Sequence, residues 1–549
     1  MRLPRAYLLV GACWLFFQDR PPDTVRAESS DSTESAFAGL VSAATPEATA
    51  AGVEVLRAGG NAIDAAVATA FALAVTEPFG SGLGGQMVLI VHPPKASPFV
   101  INGSSFSPRG VPKDARARDL VGRRATTIPT TVKVLGFAWR RCGSGKLTWA
   151  QLVQPAIRFA EHGYKIGSYH ARVLERYEDV LRTEPTVAAS LLLESAAAPA
   201  EGSRFKQPLL AATLERLALN GCEDFYSGSI ARQIAADMVA NAGWIRLRDL
   251  KELPEPRVLA PLKGVYRGWD VYTLPPPFGG WVVLQALEVL EHAPAEQLRA
   301  NAPNRIVWLA EALRIAHRSR LESPVADLVK YQAAIRKRLG DSTIQKLRRS
   351  FERPGVGETT HFSVVDRQGM AVSASASINS FFGAKVAHPK LGFLYNDYMR
   401  DFVTDDDDHP FALEPSSMAY SSMSATILSR DGKVGLVLGS PGSKRIISTV
   451  VQVISHWVDG GQDVARAIAG PRIHVIPDED LYVEHDRLTR QQLVELERRG
   501  FWVARPFSSL GSRQLNPYFG GVHAIARGTS GWRAAADPRR DGAVGTPSE

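Results

Sequence analysis

Hydrophobic positions along this chain follow two rhythms, and the change from one to the other marks its organisation. From Pro46 onward Ala51, Val55, Leu56 and Ala58 recur at helical spacing until Gly59-Gly60-Asn61 interrupts them, which predicts a helix and a break. Ala62–Val75 is nearly all apolar and rich in Ala, the pattern of a helix buried on both faces. Gly80-Ser81-Gly82-Leu83-Gly84-Gly85 then leads into a predicted strand, Met87–Val91. Between Leu147 and Arg349 the pattern is mainly helical, as in Trp149–His162 and Leu209–Asn220. A strand-like Trp269–Leu274 and the rigid corner Pro275-Pro276-Pro277-Phe278-Gly279-Gly280 interrupt it. Lys330–Arg349 reads as a basic helix with a solvated face, and Arg353–Gly357 as an exposed linker. Beyond the linker the period becomes two. His361–Asp366, the turn Arg367-Gln368-Gly369 and Met370–Ser377 predict a hairpin, and Thr426–Ser429 with Val434–Leu438 around Asp431-Gly432 predict another. Strand pairs enclosed by helices predict an α+β fold, an αββα four-layer sandwich.

Composition narrows the function classes. The 549 residues are 45% hydrophobic and 22% charged, as in ordinary globular proteins, which argues against collagenous, mostly disordered and multi-span membrane chains. A net charge of +8 is thin over this length, and no basic stripe interleaved with aromatics or zinc-ligand spacing accompanies it, so nucleic acid is not an expected partner. Arg2 and Arg5 precede a twelve-residue apolar run, Ala6–Phe17, too short to span a bilayer comfortably. Met1–Ala27 reads as a signal peptide ending near Val25-Arg26-Ala27, with an uncleaved anchor and a mispredicted start as the alternatives. The protein is therefore expected to be secreted or periplasmic, with a Ser-rich lead-in from Glu28 and no stable membrane span. Cys142 and Cys222 are read as two quiet core residues in preference to a bridge.

Candidate chemistry centres on Gly357-Glu358-Thr359-Thr360-His361-Phe362, where a hydroxyl residue sits between linker and strand. Cleavage before Thr359 would free a threonine amine, pKa about 8, able to take the proton from its own hydroxyl. On spacing alone, Thr-Thr before a strand more often reflects β propensity. The Gly/Ser loop at Gly80–Gly85 is not a phosphate loop. It lacks the Lys-Ser/Thr pair and precedes a strand, not a helix.

Several motifs in order resemble the gamma-glutamyltransferase (gamma-glutamyltranspeptidase) family of N-terminal nucleophile hydrolases, from about Gly39 to Gly542. They are Ala51–Ala66, Ser81–Gly85, Tyr266-Arg267-Gly268 through Pro277, Thr359–Asp366, Gly439-Ser440-Pro441-Gly442 and Ala536–Gly542. The resemblance implies a precursor that cuts itself between Glu358 and Thr359. The parts would be a signal peptide (1–27), a large subunit (28–358) and a small subunit (359–549) beginning with the nucleophile. Thr359 would attack a γ-glutamyl amide of the glutathione type, and water or an amino acid or peptide would take the acyl group. Ser377 matches a hydroxyl position, usually threonine, that assists the nucleophile. Asn379 and Asp401 match positions that hold the donor's α-amino group, and Ser421 and Ser422 positions that contact its α-carboxylate. Gly442 and Ser443 match a Gly-Gly pair forming the oxyanion hole, with Ser443 at a position where φ > 0 is in question. No cofactor or metal is implied. Without the family, Asp401 would read as a surface acid beside the solvated run Asp405–Asp408, and the serines as a polar turn.

The departures are as informative. The family's carboxylate-binding arginine, aligned on Asn102-Gly103, falls on Ser104, with Arg109 five residues on. Tyr398 and Arg400 stand where polar or acidic residues are usual, and the segment from Asp401 to Ser421 is short, as in members without a lid. Acyl transfer is thus expected to be kept and donor recognition altered. Two alternatives follow: an amide hydrolase of the same fold acting on glutaryl-like or peptide donors, and a secreted pseudoenzyme.

Overall fold

The computed structural model describes residues 37–325, 357–476, 480–506, 515–529 and 531–547. The predicted signal peptide, most of the lead-in, the basic segment Lys330–Arg349 and the linker up to residue 356 lie outside the described residues. Thr45 accepts the N–H of Ala48 at 3.2 Å and Pro46 fills the first turn, so the helix Pro46–Arg57 starts where its spacing predicts. Helix Ala62–Thr76 opens on a capping box between Asn61 and Asp64 and has every residue buried. Small residues let the two helices meet closely: a Cβ at Gly52 would lie 2.5 Å from Thr69 Oγ1.

Two antiparallel sheets lie between helical layers. The seven-stranded sheet runs in the order 543–545, 39–43, 357–366, 371–380, 86–92, 99–103, 257–259. The six-stranded sheet runs 531–536, 523–528, 433–438, 426–430, 269–273, 262–266. Strand Gln86–His92 is apolar on both faces because both are covered. Met87, Leu89 and Val91 pack under the helices, and Val88 and Ile90 pack between the sheets. Helices Gly280–Glu291, Arg305–Glu322 and Arg445–Val458 cover the outer face of the six-stranded sheet. This is the αββα sandwich expected from the strand pairs.

The strand carrying Thr359 is longer than its hydrophobic pattern predicts. It runs from Gly357 to Asp366, with Gly357 opposite Ser380 and Glu358 opposite Asn379 on the returning strand Ala371–Ser380. The bond between Glu358 and Thr359 therefore lies inside a strand and not at its mouth. The register shifts between Ala376 and Asn379, beside Ser377; such bulges re-aim side chains near functional sites. Phe362 and Val364 face the helices and Val365 the inter-sheet layer, so alternation turns Thr359 between the sheets. The Gly80–Gly85 loop wedges against the returning strand. A Cβ at Gly85 would lie 2.4 Å from Ser377 O, and Ile378 N–H donates to Gly80 O at 3.2 Å. Cys142 and Cys222 are free thiols; Cys222 is buried, with Arg140 Nη1 2.9 Å from its sulfur. Asp405–Asp408 are exposed.

Candidate active site

The uncut chain holds its reactive atoms in a short relay. Thr359 Oγ1 donates to Ser377 Oγ at 3.3 Å, and Ser377 Oγ donates to the carbonyl oxygen of Glu358 at 2.8 Å. The serine hydroxyl thus touches both the would-be nucleophile and the oxygen of the peptide bond preceding it. Asn379 N–H donates to the same Ser377 Oγ at 2.8 Å, fixing that side chain from the bulge. Thr359 N–H donates to Glu358 Oε1 at 3.0 Å. The Glu358 carboxylate is gripped by Arg540 through two bonds, at 2.9 and 3.0 Å, with both partners buried.

These groups open onto a cleft of about 790 Å³ whose lining includes Thr359, Asn379, Tyr398, Asp401, Ser421, Ser422 and Ser443. Seven of the sequence-predicted neighbourhood are thereby gathered in one place. Asp401 is pushed up to about 7, first by burial and then by the charge of Asp397, while the Asn379 side chain opposes the shift by hydrogen bonding. Arg176, Lys385, Arg400 and Lys444 also line the cleft. Gly442 and Ser443 adopt φ of 119° and 56°, so the position where serine replaces glycine does need the left-handed region. The carbonyls of Gly442 and Ser443 accept the N–H groups of Arg445 and Ile446, which anchors this loop to the start of helix Arg445–Val458. A Cβ at Gly357 would lie 2.8 Å from Ser443 Oγ, so the loop packs directly against the residue preceding Glu358.

Ser104 is not brought into this cleft. Its N–H and Oγ both donate to Asn102 Oδ1, at 2.9 and 2.8 Å, and it lines a separate cavity of about 30 Å³ with Phe106, Lys133 and Met418. Arg109 pairs with Glu252 at the surface. Arg400 lines the cleft, is exposed, and lies 3.8 Å from Asp397 Oδ2.

Two contributors escaped sequence reasoning. Arg540 lay within a recognised motif but carried no role until the fold brought it onto Glu358. Arg320, on helix Arg305–Glu322, donates from Nη2 to Ser422 Oγ at 2.8 Å. No group of three or more potential metal ligands converges among the described residues. Because Glu358 and Arg540 are 1–2% exposed, removing the cation strands a buried carboxylate. Arg540→Met should destabilise the uncut fold by about 3–5 kcal/mol, read as a lowered denaturant midpoint at unchanged m-value. An unshifted midpoint would mean that the pair is neutral to the fold.

The family model for gamma-glutamyltranspeptidase matches residues 48–546. The glutathione hydrolase proenzyme of Escherichia coli (strain K12) is 32% identical over 540 residues, covering 91% of this chain and 90% of that protein. The Acylase ACY 1 proenzyme of Pseudomonas sp. (strain SE83) is 31% identical over 541 residues, covering 91% and 93%. In three dimensions, the cephalosporin acylase of Bacillus halodurans superposes with a TM-score of 0.84 at 24% identity, over 97% of this chain and 100% of that one, a likeness of fold.

Proposed function

Because the chain belongs to the gamma-glutamyltranspeptidase family, we propose that it cuts itself before Thr359 and then cleaves γ-glutamyl amides of the glutathione type through a threonine acyl-enzyme. In the first reaction Thr359 Oγ1 attacks the carbonyl carbon of Glu358. Its proton passes to Ser377 Oγ, and the Ser377 proton passes to the carbonyl oxygen it already touches at 2.8 Å. As the intermediate collapses, its new hydroxyl proton moves to the nitrogen and the C–N bond breaks, leaving an ester between Glu358 and Thr359 Oγ1 and a free amine on Thr359, and water then hydrolyses the ester. The products are the large subunit ending at Glu358 and the small subunit beginning at Thr359.

In the second reaction the freed amine accepts the Thr359 hydroxyl proton as Oγ1 attacks the donor amide. The Gly442 and Ser443 N–H groups stabilise the tetrahedral oxyanion. The leaving amine takes a proton and departs, and water or the amine of an amino acid or peptide releases the acyl group. Asp401 and Asn379 hold the donor's α-ammonium, and Ser421 and Ser422 its carboxylate. Asp401 carries this assignment. A carboxylate held up near 7 by burial and by Asp397 gains most from an arriving cation. A secretory address and the relatives' proenzyme form complete the reading.

An acylase acting on glutaryl-like donors is the second reading, favoured by the position of Ser104 outside the cleft and by the likeness to an acylase proenzyme. Rates of the purified protein on γ-glutamyl and glutaryl anilides separate the two. Faster turnover of the glutaryl compound would replace the first reading by the second. The relay makes its own prediction. Ser377→Ala should slow self-cutting by about 10²-fold or more, while Ser377→Thr keeps it, both followed by gel over time. Equal processing by all three proteins would remove Ser377 from the step.

A further inference from the structure

We infer that Arg320 is the positioning residue for the donor's carboxylate, supplying from behind Ser422 the cation that the Ser104 position lacks. The inference rests on the Thr359 cleft being the donor site. Arg320 is 5% exposed, in the last turn of helix Arg305–Glu322. Its Nη2 donates to Ser422 Oγ at 2.8 Å, and its guanidinium sits 4.6 Å over the ring of Tyr420. Tyr420, Ser421 and Ser422 all line the cleft.

The donor count fixes what Ser422 can do. A guanidinium has donors and no acceptor, so the serine oxygen must be the acceptor in this bond. The single hydroxyl proton of Ser422 is then left for an acceptor on the cleft side, and a cation bound to the oxygen strengthens the O–H as a donor. Ser421 is prepared alike, since its Oγ accepts the Met423 N–H at 3.3 Å. Two adjacent hydroxyls with lone pairs engaged form a donor pair, complementary to a group that only accepts. A carboxylate is such a group, and the buried positive charge behind it adds the Coulomb attraction that serines alone lack. Arg320 is also among the charges acting on Asp401, so the ammonium-binding and carboxylate-binding ends of the cleft share its field.

The test uses the processed enzyme and three anilides: γ-glutamyl, with amine and carboxylate; glutaryl, with carboxylate only; and 4-aminobutyryl, with amine only. Arg320→Gln should raise KM about tenfold or more for the first two, keep kcat within about threefold, and move the 4-aminobutyryl KM by less than about threefold. Arg320→Lys should recover part of the loss. Ser422→Ala should give the same donor-selective loss, and the double variant should be no worse than the worse single one. A purely structural arginine would instead depress all three donors together, and that pattern overturns the inference. Losses that add independently in the double variant overturn it as well. If Arg320→Gln remains uncut, Arg320→Lys and Ser422→Ala carry the comparison, and an unmoved KM ratio between carboxylate-bearing and carboxylate-free donors refutes it. A wild-type enzyme that cleaves glutaryl but not γ-glutamyl anilide defeats the proposed function alone, because the Arg320 effect on glutaryl is read separately.

Discussion

Thr359→Ala protein should run as one uncut chain and release no anilide, whereas the wild type should yield a small subunit whose first residue is Thr359. Both reactions need the same oxygen. In the uncut chain Oγ1 is the start of the relay through Ser377 to Glu358 O, and in the proposed cut enzyme it would be the acylated atom. Loss of a nucleophile from such a unit costs about 10⁴-fold or more in kcat. N-terminal sequencing and intact mass read the first effect and anilide release the second. Thr359→Ser should retain both. A cut Thr359→Ala protein would show that another nucleophile opens the bond, and a single uncut wild-type chain would end the self-processing proposal.

Asp401→Asn should raise KM for γ-glutamyl anilide by at least about 30-fold, the effect of losing roughly 2 kcal/mol of charge pairing, and leave KM for the glutaryl compound nearly unchanged. The same carboxylate predicts a pH dependence. Burial and Asp397 hold Asp401 up to about 7, above the ordinary carboxylate range. Below pH 7 it is protonated and neutral, so it cannot pair with an ammonium; above pH 7 it is charged and can. KM for γ-glutamyl donors should therefore fall as pH rises toward 7 and level off above it, with a slope near tenfold per unit on the acid side. The glutaryl donor has no ammonium and should not follow this curve. Identical profiles for the two donors would separate Asp401 from amine recognition.

Local order was legible from the sequence where local forces set it. The helices Pro46–Arg57 and Trp149–His162 carry their own spacing and caps, and Asp366 to Ala371 carries its own turn. The strand's true start was not legible, because Gly357 and Glu358 have little intrinsic strand pattern and are ordered by Asn379 and Ser380 opposite them. Motif resemblance singled out Thr359, Ser377, Asp401 and the serine pair, which the fold gathers around one cleft. The same alignment put Ser104 at the position of the family's carboxylate-binding arginine, and the fold turns its polar atoms onto Asn102. Arg540 lies 182 residues from Glu358, and Arg320 lies 102 residues from Ser422. No periodicity encodes a pair at such separations; only the stacking of layers brings them together. Ser443 shows the opposite case, since the backbone question raised by a serine in place of glycine has a direct answer in its φ of 56°.

The order of strands in the two sheets has a consequence for reversibility. Strands from before Glu358 and from after it are hydrogen-bonded to one another within the seven-stranded sheet: 39–43 lies between 543–545 and 357–366, and 371–380 lies against 86–92. In the second sheet 269–273 pairs with 426–430. Cutting one bond inside a strand would leave every one of these ladders in place, so the two products would stay interlocked with no interface at which to part. Their assembly history would differ, however. The precursor's strands meet as parts of one chain, a unimolecular search, whereas strands of two separate chains must meet by diffusion. Refolding of the cut protein from denaturant should thus be second order and slow on dilution, while the Thr359→Ala chain refolds at a rate independent of concentration. Maturation would act as a ratchet, making the active state easy to keep and hard to rebuild.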